Sequence, residues 1–303
     1  IYTLSLHDAL PISWWPSSSM SGMNPGTTQV AELLAIRNRE HFDVRRLPGF
    51  TAIATFCLIA LYLPLILVIF FSFNADRSVT VFSHFGLNWY EEAARNTFVQ
   101  NATWLSLKLA FFSTVVATTC ATMAGLATTR QKPFRGQSVV YGIINQPLMI
   151  PEIVTAVALL TFFGAIKQAT QVYGFGYLLT AHIVFCIPFA YMPIRARLQD
   201  MDLTLEQAAA DLYASPWKVF RRVTLPMMIP GIIAGAMLSF VISFDDVIIS
   251  MLVAGPGETT LPVWMIGQLR RGLTPQINAV STVLLAVTFL VVWLVFVLTT
   301  RKK

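Results

Sequence analysis

FTAIATFCLIALYLPLILVIFFSF, residues 50–73, decides the fold class of this 303-residue chain. The stretch holds 24 residues and no charged side chain. A helix needs roughly 20 predominantly apolar residues to cross the hydrocarbon core of a bilayer. The stretch therefore predicts a membrane-spanning helix, and the rest of the chain repeats the pattern.

Further apolar blocks follow towards the C-terminus. They lie between residues 108 and 130, at about 139–166, between 167 and 195, at about 227–253, and between 271 and 301. The whole chain is 55% hydrophobic and only 12% charged, where a soluble domain carries about 25% charged residues. We expect an all-α integral membrane protein with about six transmembrane helices.

The basic residues indicate an orientation. With the N-terminus in the cytoplasm, 15 of the 21 Lys and Arg residues fall in cytoplasmic segments. Cytoplasmic loops of membrane proteins carry such an excess of positive charge. We therefore expect a multi-pass membrane protein with both termini cytoplasmic. The net charge of +6 does not indicate nucleic-acid binding, because the basic residues are spread between apolar blocks.

The N-terminal 49 residues are expected to lie outside the membrane domain. Residues 1–13 resemble a translated cloning or sequencing adapter, and residues 14–28 are rich in Ser, Pro and Gly. We predict a non-native or disordered leader at 1–28. A cytoplasmic segment at 29–49 and a transmembrane domain at 50–303 follow.

Cysteine and histidine give no metal or disulfide pattern. Cys57, Cys120 and Cys186 each lie inside an apolar block, which predicts small packing residues. His182 lies in a predicted span. Its two interpretations are a hydrogen-bonded packing histidine and a pore residue.

Two loops are too long to be simple turns. The outer loop at 74–100 carries Trp89 and Tyr90, which are either an aromatic belt at the membrane interface or part of a substrate entrance. The inner loop at 203–226 reads LTLEQAAADLYASPWKVFRRVTLP.

The inner loop predicts a short helix–turn–helix. Thr204 and Gln207 fit a capping box, so a helix is expected from Leu205 to about Tyr213. Ser215 and Pro216 predict a second helix start, and Pro226 and Pro230 mark the next boundary. The alternative is an ordinary amphipathic connector lying on the lipid headgroups.

The sequence of this loop resembles the EAA loop of ABC importer permeases. That pattern is Glu-Ala-Ala, then Gly four residues later, then a distant Leu-Pro. Gln207 stands in place of the Glu, beside Glu206, and Tyr213 stands in place of the Gly. Glycine would suit a left-handed turn there, whereas a residue with a side chain costs roughly 1 kcal/mol or more in that conformation. The resemblance implies a coupling helix that docks on an ATPase subunit. Its implied residues are Glu206, Gln207, Ala208, Ala209, Tyr213, Leu225 and Pro226.

Nearly all of residues 50–300 resembles the spermidine/putrescine permeases. The segments that carry the resemblance are residues 87–90, residues 151–154, and residues 238–278 with their Asp-Asp, Gly-Pro-Gly and Leu-Pro elements. The resemblance implies a polyamine substrate, a second permease subunit, two ATPase subunits, a periplasmic binding protein and a location in a bacterial inner membrane. ATP would bind to the partner subunits, so no cofactor is expected in this chain.

Three acids lie within predicted spans, namely Glu152, Asp245 and Asp246, and no Lys or Arg is deep enough to pair with them. An Asp at the centre of a membrane helix costs about 2.5–3.5 kcal/mol on insertion scales. A cationic substrate would supply the missing charge, with Trp89 and Tyr90 at the outer mouth. The alternatives are a packing role for Glu152 and a position near the headgroups for the Asp pair.

Other function classes explain the sequence less well. A permease for another small solute shares every feature but the substrate. A secondary cation transporter would use the acids as relays but leaves the EAA-like loop unexplained. A membrane enzyme is not indicated, since no Gly is followed by Lys and no nucleophile elbow or metal motif is found.

Overall fold

The computed structural model describes residues 50–79, 81–130, 135–272 and 274–300, and the predictions for residues 1–49 lie outside this part. Within it the chain is helical, with an isolated β-bridge between Asn74 and Phe85. The helices are α1 Phe50–Ser72, α2 Asn88–Arg95, α3 Thr97–Thr129, α4 Gln137–Met149, α5 Glu152–Thr170, α6 Phe175–Gln199, α7 Thr204–Asp211, α8 Pro216–Val219, α9 Leu225–Asp245, α10 Ile248–Val253, α11 Leu261–Arg271 and α12 Pro275–Thr300, with a π-helical segment at Phe220–Thr224.

The chain divides into two compact units, residues 1–63 and residues 64–303. The described part of the first unit is the N-terminal portion of α1, an apolar helix segment. The second unit begins at Pro64 within α1 and contains all the other helices.

In the described part, five helical stretches are long and apolar enough to cross a membrane: Thr51–Ser72, Thr97–Thr129, Glu152–Thr170, Phe175–Gln199 and Pro216–Asp245. They confirm an all-α membrane fold. The sixth predicted span coincides with α12, a 26-residue helix that contains the apolar stretch Pro275–Leu290. The total of six spans stays a prediction.

Helix α3 starts earlier than predicted. Asn96 caps its N-terminus by accepting hydrogen bonds from the backbone N–H groups of Phe98 and Val99 at 3.0 and 3.4 Å. Its 33 residues extend about 50 Å, whereas the hydrocarbon core is about 30 Å thick. The stretch from Lys108 to Thr129 alone covers about 32 Å, so the first turns of α3 extend beyond one bilayer's core.

The third predicted span is broken at a proline. Ile150 and Pro151 are extended and separate α4 from α5, because the residue before a proline avoids the helical conformation. Glu152 is therefore the first residue of a helix. The predicted position of Glu152 within one continuous span is therefore wrong.

The fifth predicted span is also two helices, and it begins differently. Asp246 is extended and separates α9 from α10. On the other side, Pro226 was expected to mark a boundary, yet the chain is helical from Pro216 to Asp245. The π-helical segment ends at Thr224, directly before the first residue of α9, and joins α8 to α9 without an interruption.

Helices α3, α6 and α9 form the centre of the second unit. Small residues four apart, Gly231, Gly235, Ser239 and Ser243, are all buried in α9. A Cβ atom at Gly235 would lie 2.7 Å from the carbonyl oxygen of Ala190 in α6. Small residues let membrane helices approach this closely, so this stripe sets the distance between α6 and α9.

Candidate functional site

The break between α9 and α10 holds a buried carboxylate. The side chain of Asp246 is 1% exposed. It accepts hydrogen bonds from the backbone N–H groups of Ile249 and Ser250 at 3.3 and 2.8 Å. These are free N–H groups at the start of α10, where a helix favours negative charge. Asp246 is thus held in place by the helix that it begins.

His182 of α6 lies beside this carboxylate. Its Nε2 atom is 3.5 Å from Asp246 Oδ2 and 3.1 Å from Ser250 Oγ. Its Nδ1 atom is 2.9 Å from Ser243 Oγ, which in turn is 2.9 Å from Ser113 Oγ of α3. Both ring nitrogens have partners, as expected of a packing histidine. The network joins α3, α6, α9 and α10.

Glu152 reaches the same place from α5. Its carboxyl group lies near enough to that of Asp246 for the two groups to interact electrostatically, and α5 packs against α10. Glu152 is half-buried, whereas Asp246 is almost fully buried. The structure therefore brings together two of the three predicted acids, and Glu152 is the more accessible of them. We call Glu152, His182, Ser243, Asp246 and Ser250 the acid cluster.

Asp245 faces a different direction from its neighbour. It is exposed on the bundle surface and lines a cavity of about 320 Å³ with residues of α1, α11 and α12, among them Ile69 and Pro262. The structure thus does not bring Asp245 together with Glu152.

Trp89 and Tyr90 lie on α2, which packs against α12. Trp89 is buried, and its Nε1 atom has no hydrogen-bond partner among the described residues. The hydroxyl oxygen of Tyr90 is 2.6 Å from Ser72 Oγ at the end of α1. Tyr90 also lines an apolar cavity of about 450 Å³ that includes Phe244. The two aromatic rings therefore lie with α1 and α12 and apart from the acid cluster.

The 203–226 loop begins differently from the prediction. Thr204 is already the first residue of α7, and the residue at the N-cap position, Leu203, makes no side-chain hydrogen bond to the helix. The predicted capping box of Thr204 and Gln207 is therefore wrong. Asp202 takes the role instead, since its Oδ1 atom accepts the backbone N–H of Thr204 at 2.9 Å. This hydrogen bond holds the pKa of Asp202 below its ordinary value.

The turn after α7 is left-handed at Tyr213, with a φ of 58°. The N–H of Tyr213 bonds to the carbonyl of Ala210, and the N–H of Ala214 bonds to that of Ala209. This pair of bonds is a Schellman motif, which usually has glycine at the left-handed position. Tyr213 therefore adopts the turn that its glycine equivalent would provide.

The loop presents an apolar surface. Four apolar side chains of the loop are largely exposed: Leu205 by 50%, Leu212 by 82%, Tyr213 by 98% and Trp217 by 67%. We call these four side chains the apolar loop face. Gln207 and Ala208 are also exposed, whereas Glu206 and Ala209 are partly buried. Leu225 and Pro226, the last predicted coupling residues, lie in the first turn of α9. Exposed apolar patches of this kind mark interaction surfaces.

A bundle of membrane-length helices with an acid cluster at a helix break and an exposed helical loop defines a multi-pass membrane transport component. The chain belongs to the family of binding-protein-dependent transport system inner membrane components, whose profile matches residues 117–301. It is thus a permease subunit of the ABC importer class and not an enzyme.

Polyamine permeases are among its relatives. The chain is 36% identical over 246 residues to the putrescine transport system permease protein PotI of Escherichia coli (strain K12), covering 80% of this chain and 88% of that one. It is 35% identical over 243 residues to the spermidine/putrescine transport system permease protein PotC of Haemophilus influenzae, covering 80% and 93%.

Solved structures share the fold. A chain of a bacterial ABC transporter involved in the import of the acidic polysaccharide alginate superposes with a TM-score of 0.59 at 14% identity, covering 92% of this chain and 98% of that one. A chain of an amino acid ABC transporter gives a TM-score of 0.54 at 16% identity, covering 70% and 95%. At these identities the likeness concerns the fold alone.

Proposed function

We propose that this permease subunit forms part of a translocation path for polyamines, the substrates named for its relatives. The observation that carries the proposal is that α5, which begins at Glu152, packs against α10, whose start binds the buried carboxylate of Asp246, so that two acids lie near each other in the membrane domain. Two carboxylates so close together repel each other unless a proton or a cation lies between them. An ammonium group of a polyamine is a cation of suitable size and charge.

The arrangement of the cluster suits transient binding. Glu152 is accessible, while Asp246 is held behind it by His182 and by the start of α10. At about 4 Å and an effective dielectric constant near 20, one ion pair contributes about 4 kcal/mol before desolvation. Conduction needs sites that bind a cation without trapping it. Asp245, which faces its own cavity, offers a second and separate carboxylate.

Trp89 and Tyr90 belong to the proposal as residues of the outer entrance. Tyr90 lines the apolar cavity beside Phe244, which precedes the two aspartates in α9. Aromatic faces attract cations by about 0.5–2 kcal/mol. The buried position of Trp89 favours a supporting role for its ring.

Transport is proposed to be driven from the 203–226 loop. The apolar loop face, with Gln207 and Ala208 beside it, is proposed to dock on one of two ATPase subunits, which bind the ATP. A second permease subunit would complete the path, and a periplasmic binding protein would deliver the substrate. This assembly lies in a bacterial inner membrane, with both termini of the chain in the cytoplasm.

Neutral isosteres of the acid cluster test the substrate. We expect Glu152→Gln and Asp246→Asn to lower ATP-driven uptake of radiolabelled putrescine by about ten-fold or more, since a lost ion pair of only 1.4 kcal/mol is already a ten-fold change. Uptake is measured in vesicles at equal protein level. Glu91→Gln is the matched control, because Glu91 is exposed and pairs with Arg95 on the surface of α2. Parental uptake by both cluster variants would contradict the proposal.

A further inference from the structure

Among the residues of the coupling motif, Glu206 has a side chain that bonds to other elements of the described chain. Its Oε1 atom accepts a hydrogen bond from Thr224 Oγ1 at 3.1 Å. The same atom lies 3.3 Å from Arg130 Nη2. The Glu206 and Arg130 side chains are 21% and 15% exposed, so water screens this pair only partly.

The three residues belong to three different elements. Glu206 lies in the first turn of α7, Arg130 directly follows the last residue of α3, and Thr224 is the last residue of the π-helical segment before α9. One carboxylate therefore joins the exposed helix to the ends of two long membrane helices.

The end of α3 is itself fixed within the bundle. The hydroxyl oxygens of Thr128 and Tyr191 are 2.8 Å apart, which links α3 to α6. The amide of Gln137 donates to the Thr128 carbonyl oxygen at 2.7 Å, which links α4 to the same turn. A displacement of Arg130 consequently involves α3, α4 and α6 together.

The π-helical segment is the other side of the connection. It lies between α8 and α9 and ends at Thr224, which is 5% exposed. π-helical turns inside α-helices occur frequently at functional sites. The Glu206 carboxylate accepts the hydrogen bond of Thr224, the last residue of this segment, and so fixes the end of the segment.

We propose that Glu206 is a positioning residue that couples movement of α7 to α3 and to α9, and that it makes no contact with the ATPase itself. This inference rests on the proposed function, since it requires that α7 is the docking helix. Glu206 would then have a different role from the exposed residues of the loop, although all of them belong to the same sequence motif. The ion pair and the hydrogen bond at one oxygen atom are the physical link.

The test uses the complete importer in proteoliposomes and measures putrescine molecules taken up per ATP hydrolysed. We expect Glu206→Gln to lower this ratio about five-fold or more, which is the lower end of typical coupling between two sites. The ATPase subunit should still co-purify at the parental level. Asp211→Asn is the matched control, because Asp211 is an exposed acid of the same helix.

Charge exchange distinguishes a specific pair from a general structural defect. Glu206→Arg and Arg130→Glu should each lower the ratio, and the double variant should restore at least part of it, because the exchanged charges attract again. A parental ratio in Glu206→Gln, or no restoration in the double variant, would overturn the inference. A parent complex without ATP-driven putrescine uptake would instead overturn the proposed function, and the inference with it.

Discussion

Tyr213 occupies a backbone conformation that favours glycine. Its φ of 58° completes the Schellman motif after α7, and its side chain is 98% exposed. A side chain in the left-handed region costs roughly 1 kcal/mol or more. Since the exposed ring recovers little of this cost by packing within the chain, the turn is formed at the expense of local stability.

Replacing Tyr213 by Gly is therefore expected to stabilise the protein. The free energy of unfolding should rise by about 1 kcal/mol, which thermal unfolding in detergent would show as a higher Tm. Leu212→Gly is the control, because Leu212 is also exposed but has a φ of −80°, where glycine gives no relief and adds only chain entropy. A lower Tm for Tyr213→Gly would contradict the assignment of strain.

The acids of the site could be predicted from the sequence, but their partners could not. An acidic residue within an apolar block can be recognised in the sequence alone, and this pattern identified Glu152, Asp245 and Asp246. The contact of Asp246 with His182 joins the break between α9 and α10 to α6, and the spacing of residues in the sequence does not predict it. The opposite directions of Asp245 and Asp246 also depend on the extended conformation of Asp246, which the apolar run conceals.

At the scale of the elements, hydrophobicity predicted the spans better than their ends. Apolar length located all five membrane-length helical stretches, because burial in lipid depends on composition. The break at Pro151 had a signal in the sequence, since proline disfavours a helical residue before it. The π-helical segment had no signal in the sequence. Because it continues the helix from α8 into α9, the expected boundary at Pro226 is not found.

The close contact of α6 and α9 gives a prediction at this scale. Gly235→Ala should lower the Tm, because its Cβ atom would lie 2.7 Å from the backbone oxygen of Ala190, so that the two helices must separate. Gly164→Ala is the matched control in α5, where a Cβ atom meets no other atom within 4 Å. There alanine should leave the Tm unchanged or raise it, since it is the better helix former. Equal shifts in both variants would contradict the role of the stripe.

At the scale of the whole molecule, the helix order determines which loops share a side of the membrane. If α1, α3, the α4–α5 pair, α6, α9 and α12 each cross once, the 203–226 loop lies on the same side as residues 131–136 and both termini. The loop then has access to ATPase subunits only if that side is the cytoplasm. The excess of basic residues in these segments favours this orientation.

Fusions to alkaline phosphatase, which is active only outside the cytoplasm, test the orientation and the number of spans together. We expect no activity for fusions after Gly136 and after Lys303, and high activity for fusions after Gly174 and after Gly257, because the positive segments should stay inside. The pair Gly257 and Lys303 tests α12, which coincides with the sixth predicted span. Activity after both would show that α12 does not cross the membrane, which would leave five spans and place the C-terminus outside. Activity after Gly136 would invert the whole arrangement and remove the 203–226 loop from the reach of any ATPase.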